Sequence, residues 1–145
     1  MILSAEQLAA IVRHGESAYP DEGCGFVLGR FEEEARRVVE VLPLSNARSG
    51  EARHNRFLIR PTDYLLAEDT AEDHGLEIVG VFHSHPDHPA VPSQYDVDHA
   101  QPIWSYLITS VQAGQGADTR SWVLAEDRSR FEEQQIIITR DQGEK

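Results

Sequence analysis

The spacing of apolar residues near the N-terminus of this chain is typical of a helix. Apolar residues recur at helical intervals from Leu8 onward. Ser4 and Gln7 have the separation of a capping box, and Pro20 cannot continue a helix because it lacks an amide hydrogen. We therefore predict a helix from about residue 5 until Pro20.

Apolar runs later in the chain predict strands. These runs cover residues 24–31, 37–42, 57–59, 105–111, 119–124 and 131–139. Residues 44–56 carry turn formers without periodicity and predict a loop, and Gly-Gln-Gly at 114–116 predicts a turn. A second helix should begin at Pro61 and end before Gly75, and a short third helix should cover about residues 94–101. Together these elements predict an α/β protein with a mixed, mostly antiparallel sheet and two main helices.

One stretch, residues 77–96, concentrates the candidate chemistry. An apolar run predicts a buried strand that delivers His83 and His85, and alternation along a strand directs both imidazoles to one side. A loop with three prolines then leads to Ser93 and Asp96, which have the spacing of a first helical turn.

Two histidines and one carboxylate suit a metal site. Three protein ligands plus water is the arrangement of a catalytic rather than a structural zinc. Two simpler interpretations stay open from the residues alone. A His-x-His pair on a strand is commonly ordinary polar decoration, and Ser93 with Asp96 is also a loose capping box.

The combined pattern of these residues resembles the signature of the JAMM (MPN-domain) metalloproteases. Their signature is an upstream Glu followed by His-x-His-x7-Ser-x2-Asp, and here the matching residues are His83, His85, Ser93 and Asp96, with Glu22 as the upstream acid. The resemblance spans most of the chain and is closest to short bacterial members. It implies a single MPN domain over residues 1–145, with a curved sheet flanked by helices, broadly similar to the deaminase fold. We expect the polar tail to fray from about residue 140.

The same resemblance implies a role for each signature residue. His83, His85 and Asp96 would hold Zn²⁺, Glu22 would act as general base and then acid, and Ser93 would donate its hydroxyl to the oxyanion. The implied substrate is a ubiquitin-like or sulfur-carrier protein, cut after the glycine that ends its C-terminal tail. A non-catalytic MPN scaffold that binds such proteins is the alternative, although members of that kind generally lack some signature residues.

The composition of the chain limits its expected cellular location and the kinds of partner it can bind. The 145 residues contain no apolar run long enough for a membrane span and no N-terminal signal core, so a cytoplasmic protein is expected. A net charge of −12 opposes binding to nucleic acid or anionic membranes. Cys24 is the only cysteine, which excludes an intramolecular disulfide. A small buried hydrophobic residue is its favoured interpretation, although its proximity to Glu22 leaves a redox role open.

Several other residues are of types that can serve in a functional site. Asp87 and His88 lie beside the candidate ligands and could contact substrate or replace a ligand, but exposure to solvent is the favoured prediction. No role is assigned to four further histidines: His14, His54, His74 and His99. Trp104 and Trp122 are expected in the core or sheet.

Other hydrolytic frameworks fit the sequence less well. The chain has no His-Glu-x-x-His motif and lacks the paired cysteines of nucleobase deaminases. A Ser-His-Asp hydrolase built from Ser93, His85 and Asp96 remains a weaker alternative, because there is no Gly-x-Ser-x-Gly elbow.

Overall fold

The computed structural model describes residues 1–45 and 59–139, and three helices and eight strands lie within these ranges. The helices are α1 (Ala5–Ala18), α2 (Pro61–Asp73) and α3 (Gln94–His99). The strands are β1 (Ile2–Ser4), β2 (Cys24–Glu32), β3 (Ala35–Leu44), β4 (Glu77–Pro86), β5 (Ser105–Gln112), β6 (Gln115–Leu124), β7 (Phe131–Gln134) and β8 (Ile137–Thr139).

The predicted capping box of α1 is confirmed. The amide of Gln7 donates to Ser4 Oγ at 3.0 Å, and the amide of Ser4 donates to Gln7 Oε1 at 2.8 Å. These bonds satisfy amides that a helix leaves without intrahelical partners. The second predicted helix is also confirmed, since α2 begins at Pro61 and ends before Gly75.

The strands form one mixed sheet in the order β7-β6-β5-β4-β2-β3-β1-β8. The pairs β2–β3, β2–β4, β5–β6 and β6–β7 are antiparallel, whereas β4–β5, β1–β3 and β1–β8 are parallel. The strand order shows that the sheet is strongly curved. β7 and β8 occupy opposite edges, although only two residues separate them in sequence. A link from Gln134 to Ile137 spans at most about 11 Å, so the two edges lie close together.

The prediction of a single strand over residues 131–139 is wrong, because two strands occupy this range. β7 ends at Gln134 after pairing with β6, and β8 begins at Ile137 and pairs with β1. The apolar pattern is nearly continuous, but the chain crosses between the two edges of the curved sheet and changes pairing partner. The predicted turn at 114–116 also shifts, to Ala113 and Gly114, which have φ of 50° and 86°.

Helices cover both faces of the sheet. On one face, α1 packs against a core that includes Ile11, Val79 and Phe82. On the other face, α2 and residues near α3 pack against a core that includes Phe26 and Val81, with Trp104 partly buried against it. Because His83 is on the same face as Val81, this second face carries the candidate ligands.

Three predictions fall mainly outside the described residues. They are most of the loop 44–56, the short strand 57–59 and the tail expected to fray from about residue 140. Ile59, at the end of the predicted short strand, is described and is not in a strand. Within the described ranges, the helices are too short or too polar to cross a membrane.

Candidate metal centre

The predicted ligands converge on one buried position. His83 and His85 leave β4 on the same side, and their Nε2 atoms are 3.1 Å apart. Asp96, in the first turn of α3, places Oδ1 3.3 Å from His83 Nε2 and Oδ2 3.2 Å from His85 Nε2. Each of the three side chains is at least nine-tenths buried.

The donors lie close enough together to surround one small cation. Zinc binds nitrogen and oxygen at about 2.0–2.1 Å, which separates neighbouring donors of a tetrahedron by about 3.3 Å. The two Nε2 atoms are 3.1 Å apart, and each lies 3.2–3.3 Å from one oxygen of Asp96, a different oxygen for each histidine. One donor atom from each residue lies within 4.8 Å of the other two. Two imidazoles and a carboxylate on one side would leave the fourth vertex to a non-protein ligand. The group can therefore hold a metal ion.

The protonation of the three groups also suits ligation. Burial lowers the pKa of His83 and outweighs the attraction of Asp96, so this imidazole favours its neutral form. Burial alone would raise the pKa of Asp96, but the two imidazoles and the Ser93 amide hold it below its ordinary value. For His85, burial opposes charge, yet Asp96 and the Pro89 carbonyl together raise the pKa. A cation at Nε2 would replace the proton that this nitrogen shares with Asp96, while Nδ1 keeps its contact with the Pro89 carbonyl.

Ser93 belongs both to a capping box and to the site. Its Oγ accepts from the Asp96 amide at 3.1 Å, and its own amide donates to Asp96 Oδ2 at 2.8 Å. The capping interpretation is thus correct, and it also orients the carboxylate towards the histidines. The Ser93 hydroxyl accepts in this bond, which leaves its proton free to donate elsewhere.

Glu22 lies just before the start of β2, across from the candidate ligands on β4. Cys24 is paired with His83 in the antiparallel β2–β4 ladder, so continuing the register by two residues places Glu22 opposite His85. Glu22 is buried, with 6% of its surface exposed. The structure therefore brings the sequence-predicted acid to the same face as the candidate metal donors.

A cleft of about 320 Å³ opens beside these groups. Its lining residues are Glu22, His85, His88, Pro89, Val91 and Ser93. The acid, a metal donor and the serine hydroxyl thus share one solvent-accessible space. A substrate in this cleft could meet all three.

The loop after β4 is fixed by contacts that the sequence did not reveal. Asp87 accepts from Tyr19 Oη at 2.6 Å and from the Ala113 amide at 2.8 Å, so it anchors the loop. Ser110 Oγ donates to the His88 carbonyl and Trp122 Nε1 donates to the Ala90 carbonyl. The His88 side chain is exposed at the cleft, as predicted. These partners come from distant strands, and no local pattern marks them.

The structure also shows the surroundings of Cys24 and of the histidines outside the candidate ligand group. Cys24 is fully buried, and burial, with Asp63 and Glu22 adding to it, raises the pKa of its thiol to about 12. This agrees with the interpretation of a small hydrophobic residue. His99 stacks on Tyr95 and lines a small cavity with His83 and Asp96, a proximity that the sequence did not indicate. The other three histidines were assigned no role from the sequence. His14 is hydrogen-bonded to the Leu44 carbonyl and His74 to the Glu40 carboxylate. His54 is outside the described residues.

Comparisons with known proteins agree with this fold and site. The family model for prokaryotic homologs of the JAB domain matches residues 4–125. A desampylase of Pyrococcus furiosus is 28% identical over 138 residues, covering 95% of this chain and 90% of that protein. A CysO-cysteine peptidase of Mycobacterium tuberculosis is 27% identical over 127 residues, covering 87% and 84%.

A solved structure extends the agreement to the whole fold. The solution structure of a protein from Desulfitobacterium hafniense is 31% identical, with a TM-score of 0.84, and covers 97% of this chain and 94% of that one. The α/β fold with a curved mixed sheet, expected from the MPN resemblance, is confirmed. The chain belongs to the family of prokaryotic homologs of the JAB domain.

Proposed function

We propose that this protein is a zinc-dependent peptidase or isopeptidase that hydrolyses the bond after the C-terminal glycine of a ubiquitin-like sulfur-carrier protein. One observation carries the proposal. The candidate donors of His83, His85 and Asp96 lie together, and His85 lines a cleft that it shares with Glu22 and Ser93. Family membership supports the same reaction class.

His83, His85 and Asp96 are the proposed metal ligands. Zn²⁺ in a three-ligand site of this kind acts as a Lewis acid and activates water near neutral pH. The chain's own contribution is to hold the donors in place. Asp96 is fixed by the Ser93 amide, and His85 is fixed by the Pro89 carbonyl. Such supporting hydrogen bonds orient ligands and select the imidazole tautomer.

Glu22 is the proposed general base. It lies beside the ligand group without belonging to it, and its carboxylate can take a proton from the attacking water. The same proton then moves to the departing nitrogen, which must be protonated before it leaves. The position of Glu22 supports this role, because its side chain lines the cleft together with His85 and Ser93.

Ser93 is the proposed oxyanion donor. Its hydroxyl oxygen accepts from the Asp96 amide, so the oxygen position is fixed while the proton can point into the cleft. A donor that is held in place before the reaction stabilises the negative charge that develops on the carbonyl oxygen.

The substrate class follows from the family and its named members. Two relatives bear the names desampylase and CysO-cysteine peptidase, and the second name describes a peptidase for a CysO–cysteine linkage. We infer that this chain acts on the same general kind of bond, between the terminal glycine of a small carrier protein and an amino acid or lysine.

Intact-mass measurements on carrier adducts test this proposal. The zinc-loaded protein is incubated with a Gly-Gly-ended carrier bearing either a C-terminal cysteine or an isopeptide-linked lysine peptide. We expect the mass of at least one adduct to fall to that of the free Gly-Gly carrier. The chelated protein and an Asp96→Ala variant should leave both adducts intact.

Two results would contradict the proposal. Intact adducts of every carrier of the host, despite bound zinc, would exclude the proposed substrates. Zinc binding with stable retention of an uncleaved carrier would instead favour the non-catalytic scaffold.

A further inference from the structure

Ser84 lies between the two histidines of β4 but faces the opposite side of the sheet. Its side chain points towards α1 and is 2% exposed. Gly15 of α1 lies directly against it, because a Cβ at Gly15 would be 3.0 Å from Ser84 Cβ. The absence of a side chain at Gly15 lets the helix cover Ser84 and shield it from water.

The hydroxyl of Ser84 binds the main chain of the segment that carries Glu22. The Gly23 amide donates to Ser84 Oγ at 2.8 Å, and the Ser84 amide donates to the Gly23 carbonyl at 2.9 Å. The side chain thereby supplies a second hydrogen bond between Gly23 and Ser84, just before β2 begins at Cys24. Both partners are buried, so water competes poorly for these bonds.

Gly23 is also confined from the side of α1. A Cβ at this position would lie 3.1 Å from Ala18 Cβ and 3.1 Å from the His14 carbonyl oxygen. The main chain next to Glu22 is therefore held between the last turns of α1 and the strand that bears the histidines. The bond from the Gly23 amide to Ser84 Oγ links these parts.

We propose that Ser84 is a positioning residue for Glu22. By fixing the Gly23 amide, its hydroxyl sets where the adjacent carboxylate lies relative to the donors of His83 and His85. The proposal rests on the proposed role of Glu22 as general base. Misplacement of a reacting group by about 1 Å can reduce the rate about a hundredfold, so a single bond of this kind affects turnover.

Ser121 provides a matched control in the same sheet. It is 0% exposed, and its Oγ donates to Gln134 Oε1 at 2.8 Å between β6 and β7, away from Glu22. Ser121→Ala therefore removes a comparable buried hydroxyl and its hydrogen bond. A general loss of stability should affect both variants, whereas a positioning effect should appear only in Ser84→Ala.

The first measurement does not depend on turnover. Amide exchange at Gly23 and the NMR shift of the Glu22 carboxyl carbon are compared in zinc-loaded wild type, Ser84→Ala and Ser121→Ala. In Ser84→Ala we expect Gly23 to exchange about tenfold faster, as for loss of one hydrogen bond, and the Glu22 signal to move. Ser121→Ala should leave both signals unchanged. If Ser84→Ala does not fold, Ser84→Cys, with its weakly accepting thiol, replaces it.

The second measurement is kinetic. Ser84→Ala should keep its zinc and lower kcat about 10- to 100-fold, with KM changed by less than about twofold. If Ser84 acts through Glu22, Ser84→Ala should cause no further loss in a Glu22→Gln background. An equal loss in that background would overturn the positioning role.

The two proposals fail in different ways. Unchanged Gly23 and Glu22 signals in Ser84→Ala would overturn the positioning role whatever the activity. If those signals change but wild-type protein cleaves no carrier adduct, the proposed function fails while Ser84 is still shown to hold this segment.

Discussion

His85 Nδ1 lies 2.9 Å from the carbonyl oxygen of Pro89. A carbonyl can only accept, so the proton of this contact resides on Nδ1. Nε2 faces His83 and Asp96, and a metal that displaces the proton shared between Nε2 and Asp96 would meet the lone pair of this nitrogen. The loop that contains Pro89 thereby selects the tautomer that a metal requires.

This tautomer can be checked by NMR. In the zinc-loaded protein with ¹⁵N-labelled histidine, we expect His85 to retain a proton on Nδ1 and to show metal coordination at Nε2. The Nδ1 proton should exchange slowly, because it is bonded to a main-chain carbonyl of an anchored loop. Coordination through Nδ1 would contradict the assigned roles of both nitrogens.

Replacement of Glu22 by Gln tests the general base directly. The amide keeps the size of the side chain but cannot accept a proton, so we expect kcat to fall by about 10²- to 10⁴-fold. Zinc content, measured by mass spectrometry of the metal, should stay at the wild-type value because Glu22 is not a ligand. Activity within a few-fold of wild type would remove Glu22 from the mechanism.

Ser93→Ala separates the oxyanion role from the capping role, because α1 offers a matched control. Ser4 and Ser93 are both N-caps with reciprocal capping boxes. Each Ala variant should lose about 1 kcal/mol of unfolding free energy. Only Ser93→Ala should also lose activity, by about 10²- to 10³-fold as for an oxyanion donor.

Chemical denaturation and steady-state kinetics on both variants measure these effects. Zinc content must be determined alongside, since Ser93 also orients Asp96. Full activity in Ser93→Ala with bound zinc would show that the hydroxyl serves only as a cap.

Cys24 should be inert towards thiol reagents in the folded protein. Its side chain is fully buried and burial raises the pKa of the thiol to about 12, so the reactive thiolate is rare at pH 7. Raising the pH from 7 to 9 leaves it below the raised pKa and should add little reactivity. Denatured protein, as the control, should label at one thiol per chain, and rapid labelling of native protein would contradict this burial.

Features set by neighbouring residues could be predicted from the sequence. The capping box of Ser4 and Gln7 depends on a fixed spacing within one turn, and the shared direction of His83 and His85 depends only on strand alternation. For the same reason the Ser93–Asp96 contact follows from the start of α3. These local relations hold wherever the elements are placed in the fold.

Features set by distant partners could not be predicted in this way. β1 is three residues long and exists because it lies between β3 and β8, and β8 separates from β7 because the curved sheet brings its two edges together. The role proposed for Ser84 depends on distant partners in the same way. Its spacing marks it only as the residue between two histidines, and its function depends on Gly23 and Gly15 from other elements. Glu22 was found through family resemblance rather than through local spacing.

Anomalous diffraction from crystals grown with zinc tests the central claim most directly. We expect one strong peak at the zinc absorption edge, about 2.0–2.2 Å from Nε2 of His83, Nε2 of His85 and a carboxylate oxygen of Asp96. The peak should border the cleft that contains Glu22 and Ser93. A zinc peak elsewhere, or these three side chains directed apart in the presence of zinc, would contradict the account.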